Sequence, residues 1–259
     1  MSQIINLSDI DTASLTEMLM SSKTTVVLLP LGSTEPHGPH LPLSTDVILA
    51  EENARRSALR FDDSFHVFLA PTVSYGVTDF AAGFKGAIGL SESTLSALID
   101  ELVTGFLGDG FDHVSLINHH LDPGHVQTIE RTCQSLWHKF GTQRVSHPSV
   151  LNRRWGRHLG DEFRSGACHA GEYEGSMVLA ASKHLFRQDR AAELPPLDLS
   201  LSEGIQAGVS TFAELGMTAA YTGNPKKSTE NFGNELYEVL SDMVFSTVVE
   251  HLKGVNDEG

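Results

Sequence analysis

Two hydrophobic periods alternate along the first 150 residues of the chain. Residues 14–22 are amphipathic enough for a short helix, and the run 25–31 (TVVLLPL) is almost unbroken, as expected of a strand covered on both faces. From 46 to 61 the apolar positions Val47, Leu49, Ala50 and Ala54 predict a helix, and residues 66–72 (HVFLAPT) a second buried strand. Residues 74–90 hold Gly76, Gly83, Gly86 and Gly89 with no helical period, so they read as a loop or bent hairpin. A helix over 91–108 follows from Leu95, Leu98, Ile99, Leu102 and Val103, closed by Gly108 and Gly110. His113–Asn118 reads as a third strand, Pro123–Phe140 as a helix with Val126, Ile129, Cys133, Leu136 and Trp137 inward, and 143–150 as a further strand. This alternation of strand and helix predicts an α/β fold on a mostly parallel sheet, with helices on both faces.

The polar residues cluster where those strands end. Leu31 to Asp46 reads LGSTEPHGPHLPLSTD, so the first strand delivers Glu35, His37, His40 and Asp46 into one loop. Pro36, Pro39 and Pro42 fix φ and forbid helix, while Gly32 and Gly38 permit turns. Glu35 and His37 are two apart, which points them to the same side of an extended backbone. Imidazole suits zinc and other late divalent ions, and a carboxylate can bridge two ions, so the mixture suits a hydrolytic metal site. The competing explanation is a solvated polar loop in which Asp46 caps the next helix.

A second cluster, Asn118-His119-His120-Leu121-Asp122, follows the third strand at its C-terminal end, where open α/β sheets place their sites. His125 is a further imidazole in the first turn of the next helix. A third cluster is Cys168-His169-Ala170-Gly171-Glu172-Tyr173-Glu174-Gly175-Ser176. Its two glutamates precede an apolar helix at 177–181, where the positive helix end alone would favour them. A Cys168–His169 nucleophilic pair is disfavoured, because adjacent side chains diverge.

Charge and composition narrow the chemistry. The 259 residues are 40% hydrophobic and 20% charged, as in an ordinary globular protein. A formal charge of −15, from 33 acids against 18 Lys and Arg, argues against nucleic acid as a partner. No apolar run spans a bilayer, the N-terminus lacks a secretory pattern, and Cys133 and Cys168 make no disulfide framework, so a cytoplasmic protein without membrane contact is expected. Residues 254–259 read as a frayed polar tail.

These motifs carry a resemblance. LPLGSTEPHGPHLPLSTD, then INHH at a strand end, then HAGEYEGS, with a weaker TGNPKKSTENFG, resemble the signature blocks of the creatininase (creatinine amidohydrolase) family in their order and separation, over residues 26–233. The resemblance implies one domain over 1–259, folded as a three-layer α/β/α sandwich and assembled as a homo-oligomer, often a hexamer. It also implies two divalent ions per subunit, zinc with manganese and iron as alternatives, that hydrolyse a carbon–nitrogen bond of a small cyclic or linear amide through an activated water. Carried onto this sequence, Glu35, His37, Asp46 and His120 become metal ligands, with Asp46 bridging. His169 takes the catalytic position, with Asp122 as a second catalytic candidate. Asp122 stands where creatininase has a ligand glutamate, and Glu174 matches a glutamate that completes the metal shell, so either is the last ligand.

Three departures bear on the substrate. His119 replaces the glycine of the family's Asn-Gly-His block, TDFAAGFKGAIGL lacks the family's histidine and proline, and Glu174-Gly175-Ser176 replaces Glu-Thr-Ser. A changed substrate wall is expected, so creatinine itself does not follow. A scaffold of this kind also hosts other chemistry. Hydrolysis at a peptide end or of a ring carbon–carbon bond, or a silent metal-binding assembly role, are the alternatives. Trp155 is a pocket or packing residue, and Arg153, Arg154 and Arg157 form a basic surface that could hold an anionic substrate.

Overall fold

The structure, a computed structural model, describes residues 4–254. The polar tail expected at 254–259 therefore lies, beyond Gly254, outside the described residues. In chain order the strands are β1 (Ile5–Asn6), β2 (Thr24–Leu31), β3 (Phe65–Leu69), β4 (His113–Asn118) and β5 (Val145–Ser146). The helices are α1 (Thr12–Leu19), α2 (Thr45–Ala58), α3 (Glu92–Asp109), α4 (Pro123–Phe140), α5 (Arg153–Gly156), α6 (Gly160–Arg164), α7 (Glu172–Ser182), α8 (Gln188–Glu193), α9 (Leu201–Gln206), α10 (Phe212–Leu215) and α11 (Glu230–Leu252).

All strand pairs are parallel, in the order β1-β3-β2-β4-β5. The alternation along β2 explains the two cores. Val27, Leu29 and Leu31 face one side and pack with Leu95, Ile99 and Val103 of α3 and Ile129, Cys133 and Leu136 of α4. Val26 and Leu28 face the other and pack with Ala54 and Ala58 of α2 and Val244 and Val248 of α11. Helix α7 lies outside α2 and α11, its Met177 and Val178 buried with Leu49, Leu236, Tyr237 and Leu240. The result is the expected three-layer α/β/α sandwich, its strands buried on both faces because helices cover both. No helix of the described residues is long and apolar enough to cross a membrane.

Several boundaries differ from the sequence expectations. The strand expected over 143–150 is only Val145–Ser146, because Pro148 has no N–H to continue the ladder and the His147 ring instead donates from Nδ1 to the Leu116 carbonyl. The strand expected to 72 ends at Leu69, before Pro71. Helix α7 starts at Glu172, so the two glutamates expected before the helix form its first turn. Helix α11 was not among the expectations at all. Its signal is present in the sequence, with Leu236, Leu240, Met243, Val244 and Val248 at helical spacing and Thr229 capping the Phe232 N–H.

The register of the central pair positions the site. Leu31 of β2 lies opposite Asn118 of β4, so the loops leaving their C-terminal ends emerge side by side. Gly32 lets β2 run close under the start of α2. A Cβ there would stand 2.7 Å from the Val47 nitrogen and 2.9 Å from the Asp46 carbonyl carbon. Residues 74–90 form the expected irregular loop, which crosses the same end of the sheet.

Candidate active site

Four separate stretches converge above β2 and β4: the loop after β2 with Glu35 and His37, the first turn of α2 with Asp46, the end of β4 with His120, and the start of α7 with His169 and Glu174. All six side chains are buried. Their ligand atoms fall into three compact groups, each within 4.8 Å: Glu35, Asp46 and His120; His37, Asp46 and Glu174; and Glu35, His37 and His169. Asp46 is not the N-cap of α2. Ser44 occupies that position, and Asp46 sits in the first turn, where the positive helix end favours a carboxylate, as it does for Glu174 on α7.

The histidines are held by backbone. His120 Nε2 donates to the Val77 carbonyl at 2.6 Å, His37 Nδ1 to the Glu35 carbonyl at 3.1 Å, and His169 Nε2 to the Pro36 carbonyl at 3.0 Å. A carbonyl only accepts, so each ring keeps its hydrogen there and turns the other nitrogen toward carboxylates. His120 Nδ1 lies 3.0 Å from Asp46 Oδ2 and 3.4 Å from Glu35 Oε1. His37 Nε2 lies 3.0 Å from Asp46 Oδ1 and 3.5 Å from Glu174 Oε2. His169 Nδ1 lies 3.9 Å from Glu35 Oε1.

Lone pairs facing carboxylate oxygens repel unless a cation lies between them. His37 Nε2 and Asp46 Oδ2 are buried and form no hydrogen bond, so both present free donor atoms. Mixed imidazole and carboxylate donors of this kind fit a late divalent ion. The protein electrostatics express the same demand. Burial disfavours the charged imidazole of His37, yet Asp46 and Glu174 raise its pKa to about 10, and His120 is raised above its ordinary value by Glu35 and Asp46. Burial pushes Glu174 up to about 8. His169 goes the other way, to about 4, through burial and the neighbouring His37. Metal binding by this chain rests on that donor set together with its family.

Further hydrogen bonds fasten these groups and the loops that carry them. The Thr78 hydroxyl donates to Glu35 Oε2. Val77 N donates to His125 Nδ1 at 3.3 Å, and His125 Nε2 donates to Asn118 Oδ1 at 3.1 Å. Asp122 Oδ2 accepts from Phe80 N at 2.8 Å, and its Oδ1 from Gly124 N at the start of α4. The loop 74–90 is therefore fastened to the site at Val77, Thr78 and Phe80. Thr78 is a residue that sequence reading missed, since nothing in a lone loop threonine marks it. Asp122 borders the cavity beside the site, outside the three ligand groups, with its oxygens on backbone N–H. Ala170, at φ 54°, holds a left-handed conformation that costs a non-glycine residue on the order of 1 kcal/mol. Its N–H donates to Glu174 Oε2 at 2.6 Å.

Other sequence candidates stand apart. His119 turns away to Asn53 Nδ2, at 3.0 Å. His40 is fully buried, its ring edge-on to Phe186 and Tyr221. Burial pushes the Cys168 thiol up to about 12, which leaves it un-ionised and unsuited as a nucleophile. Trp155 packs beneath the Arg154 guanidinium, and Arg154 pairs with Glu250 at 2.9 Å. No lysine or arginine lines the cavity beside the site among the described residues, so the basic run does not reach a substrate there.

Comparison with known proteins finds relatives over most of the chain. Residues 9–248 match the family profile described as creatinine amidohydrolase. The chain is 27% identical over 238 residues to a mycofactocin precursor peptide peptidase of Mycobacterium ulcerans, covering 88% of this chain and 86% of that protein. It is 25% identical over 190 residues to a creatinine amidohydrolase of Pseudomonas putida, covering 66% of this chain and 70% of that protein. A crystal structure of creatininase superimposes with a TM-score of 0.75 at 19% identity, covering 97% of this chain and 99% of that one. A creatininase in its manganese form gives 0.72 at 19%, over 96% and 99%. The profile match spans nearly the whole chain, so the chain belongs to the creatininase family and is a hydrolase of its metal-dependent amidohydrolase type.

Proposed function

We propose that the protein hydrolyses a carbon–nitrogen amide bond of a small cyclic or linear amide at a binuclear metal site. The observation that carries this reading is the set of three histidines, each with one N–H spent on a backbone carbonyl and its other nitrogen turned to Glu35, Asp46 or Glu174. One ion would be held by Glu35, Asp46 and His120, the other by His37, Asp46 and Glu174, zinc or manganese being the expected metals and iron an alternative. Asp46 turns Oδ1 to one group and Oδ2 to the other, as a bridging carboxylate does. When bound, such ions supply Lewis acidity at the carbonyl and bring the pKa of a water toward neutrality.

The chain's own groups carry the rest. His169 keeps its hydrogen at Nε2 on the Pro36 carbonyl, so Nδ1 is the atom free to take a proton from the attacking water and give it to the departing nitrogen. Its low pKa leaves that nitrogen unprotonated at neutral pH. Stacking against Phe212, with ring centroids 4.4 Å apart, fixes the ring plane. Asp122 anchors Phe80, and through it the loop that bears Thr78 and Val77. The groups that would handle the proton and the ions are themselves buried, which limits their contact with bulk water.

A second reading, hydrolysis at a peptide end, is favoured by the match to a peptide peptidase over 88% of the chain. Elemental analysis of the purified protein beside Glu35→Ala, followed by ammonia- and amine-release assays on cyclic and linear amides and mass spectrometry on peptides, tests both. About two metal equivalents per chain, lost in the variant together with turnover, is the expected result. Turnover by metal-free protein, or no metal after reloading, refutes the reading. New peptide termini with no turnover of small amides would select the peptidase.

A further inference from the structure

Beyond the ligand groups the site opens into a cavity of about 400 Å³. Its floor holds Glu35, Asp46, His120, His169 and Glu174, so it is continuous with the proposed metal centre. Its walls are mainly apolar: Leu121 just before α4, Val126 in α4, Leu201 and Ile205 of α9, Phe212 of α10 and Leu151. Leu151 is 56% exposed and Ile205 39% exposed, so two large apolar side chains face solvent at the rim. Both lie at the open end of the cavity, where an apolar part of a ligand leaving the floor would meet them. The volume is in the range of sites for ligands well beyond a single small ring, from about 300 Å³ upward.

The charge in the cavity is one-sided. No side chain at its wall carries a permanent positive charge, and the acids include Glu130, exposed at the mouth beside Gln127 and Gln206. The carboxylates of the floor would be answered by bound ions. Glu130 has no such answer in the cavity, so an anion entering past it would meet repulsion and find no cation to receive it. This contrasts with the notion of an arginine-held anion.

We infer that the substrate carries an extended apolar arm without negative charge on the amide, which lies between α4, α9 and α10 with its far end against Leu151 and Ile205. The inference rests on the proposed hydrolytic site and names the class of substrate that site takes. Affinity and turnover should then grow with arm length. Each methylene moved from water into this wall is worth roughly three- to fourfold in binding. A terminal carboxylate on the arm should cancel the gain.

The test uses hydroxamates, which grip metal ions and leave the arm as the variable, on zinc-loaded full-length protein by titration calorimetry. Hexanohydroxamate should bind on the order of a hundredfold more tightly than acetohydroxamate. The monohydroxamate of adipic acid, of equal length but ending in carboxylate, should bind no better than acetohydroxamate. Val126→Trp, which fills the wall, should shrink the long-to-short ratio below about tenfold. Leu151→Ser, at a site exposed enough to leave folding intact, should reduce it two- to fivefold, roughly the contribution of one methylene contact. Equal affinities for the short and long alkyl probes, or a gain with the carboxylate, overturn the inference and leave the hydrolytic reading standing. Failure of every hydroxamate to bind protein that holds zinc overturns the hydrolytic reading and this inference with it.

Discussion

Glu35 depends on a single hydroxyl. Thr78 donates to Oε2 of this 3% exposed carboxylate, leaving Oε1 turned to His120. Thr78→Val should therefore keep the fold and weaken zinc binding by roughly ten- to hundredfold, as losses around a metal's ligands do, while Thr78→Ser restores it. Competition against a fluorescent chelator measures both. Cys168→Ser makes the opposite point. With its thiol held near 12 the cysteine does no nucleophilic work, so the variant should retain turnover within about an order of magnitude, and a complete loss would reinstate a thiol mechanism. The ligand-type residues at this scale were legible because Glu, His and Asp at strand ends are rare and chemically suggestive. Thr78 and the carbonyl of Val77 were not, because a contact reaching 43 residues along the chain leaves no local trace.

At the scale of elements, α7 owes its position, and Glu174 its place, to close packing on α11. Gly233 faces Ser176, and a Cβ there would overlap the Ser176 carbonyl. Gly233→Ala should destabilise by more than about 2 kcal/mol in urea titration and lower metal occupancy, since α7 must move. His113 on β4 sets a pH limit. Burial, with His251 and Arg144 nearby, lowers its pKa to about 4, while its ring bonds the Gln143 carbonyl and Ser146 Oγ. The unfolded imidazole titrates near 6.5, so between 6.5 and 4 the unfolded chain binds the extra proton. The contribution is intact above 6.5 and falls as pH drops toward 4, by on the order of 3 kcal/mol. His113→Gln should flatten that part of the stability profile measured by urea titration at a series of pH values. Strand β4 and helix α4 were readable to the residue because their apolar periods are local and their ends carry Asn118, Pro123 and Gly141. Strand β5 was overread, because an edge strand cut short by Pro148 keeps the composition of a longer one. Helix α7 was underread because its glutamates looked like a prelude, although a first turn is where acids belong.

At the scale of the molecule, three buried carboxylates with no lysine or arginine among them make the site costly without cations. Exhaustive chelation should lower the melting temperature by several degrees, and stoichiometric zinc should restore it. A melting curve indifferent to chelation would mean that the donors are held by their protons alone. The family likeness also leads us to expect a homo-oligomer, hexameric in form, which light scattering on the purified protein checks directly. One feature of the site bears on how such a protein changes through descent. The wall loop holds His120 through the Val77 carbonyl and meets Asp122 through the Phe80 amide, so both fastenings belong to the main chain, which every residue but proline supplies. Mutation can therefore change exposed positions of this loop while the hydrolytic centre stays in register, with Thr78, and Gly76 against the His125 ring, among the points at which such drift meets resistance.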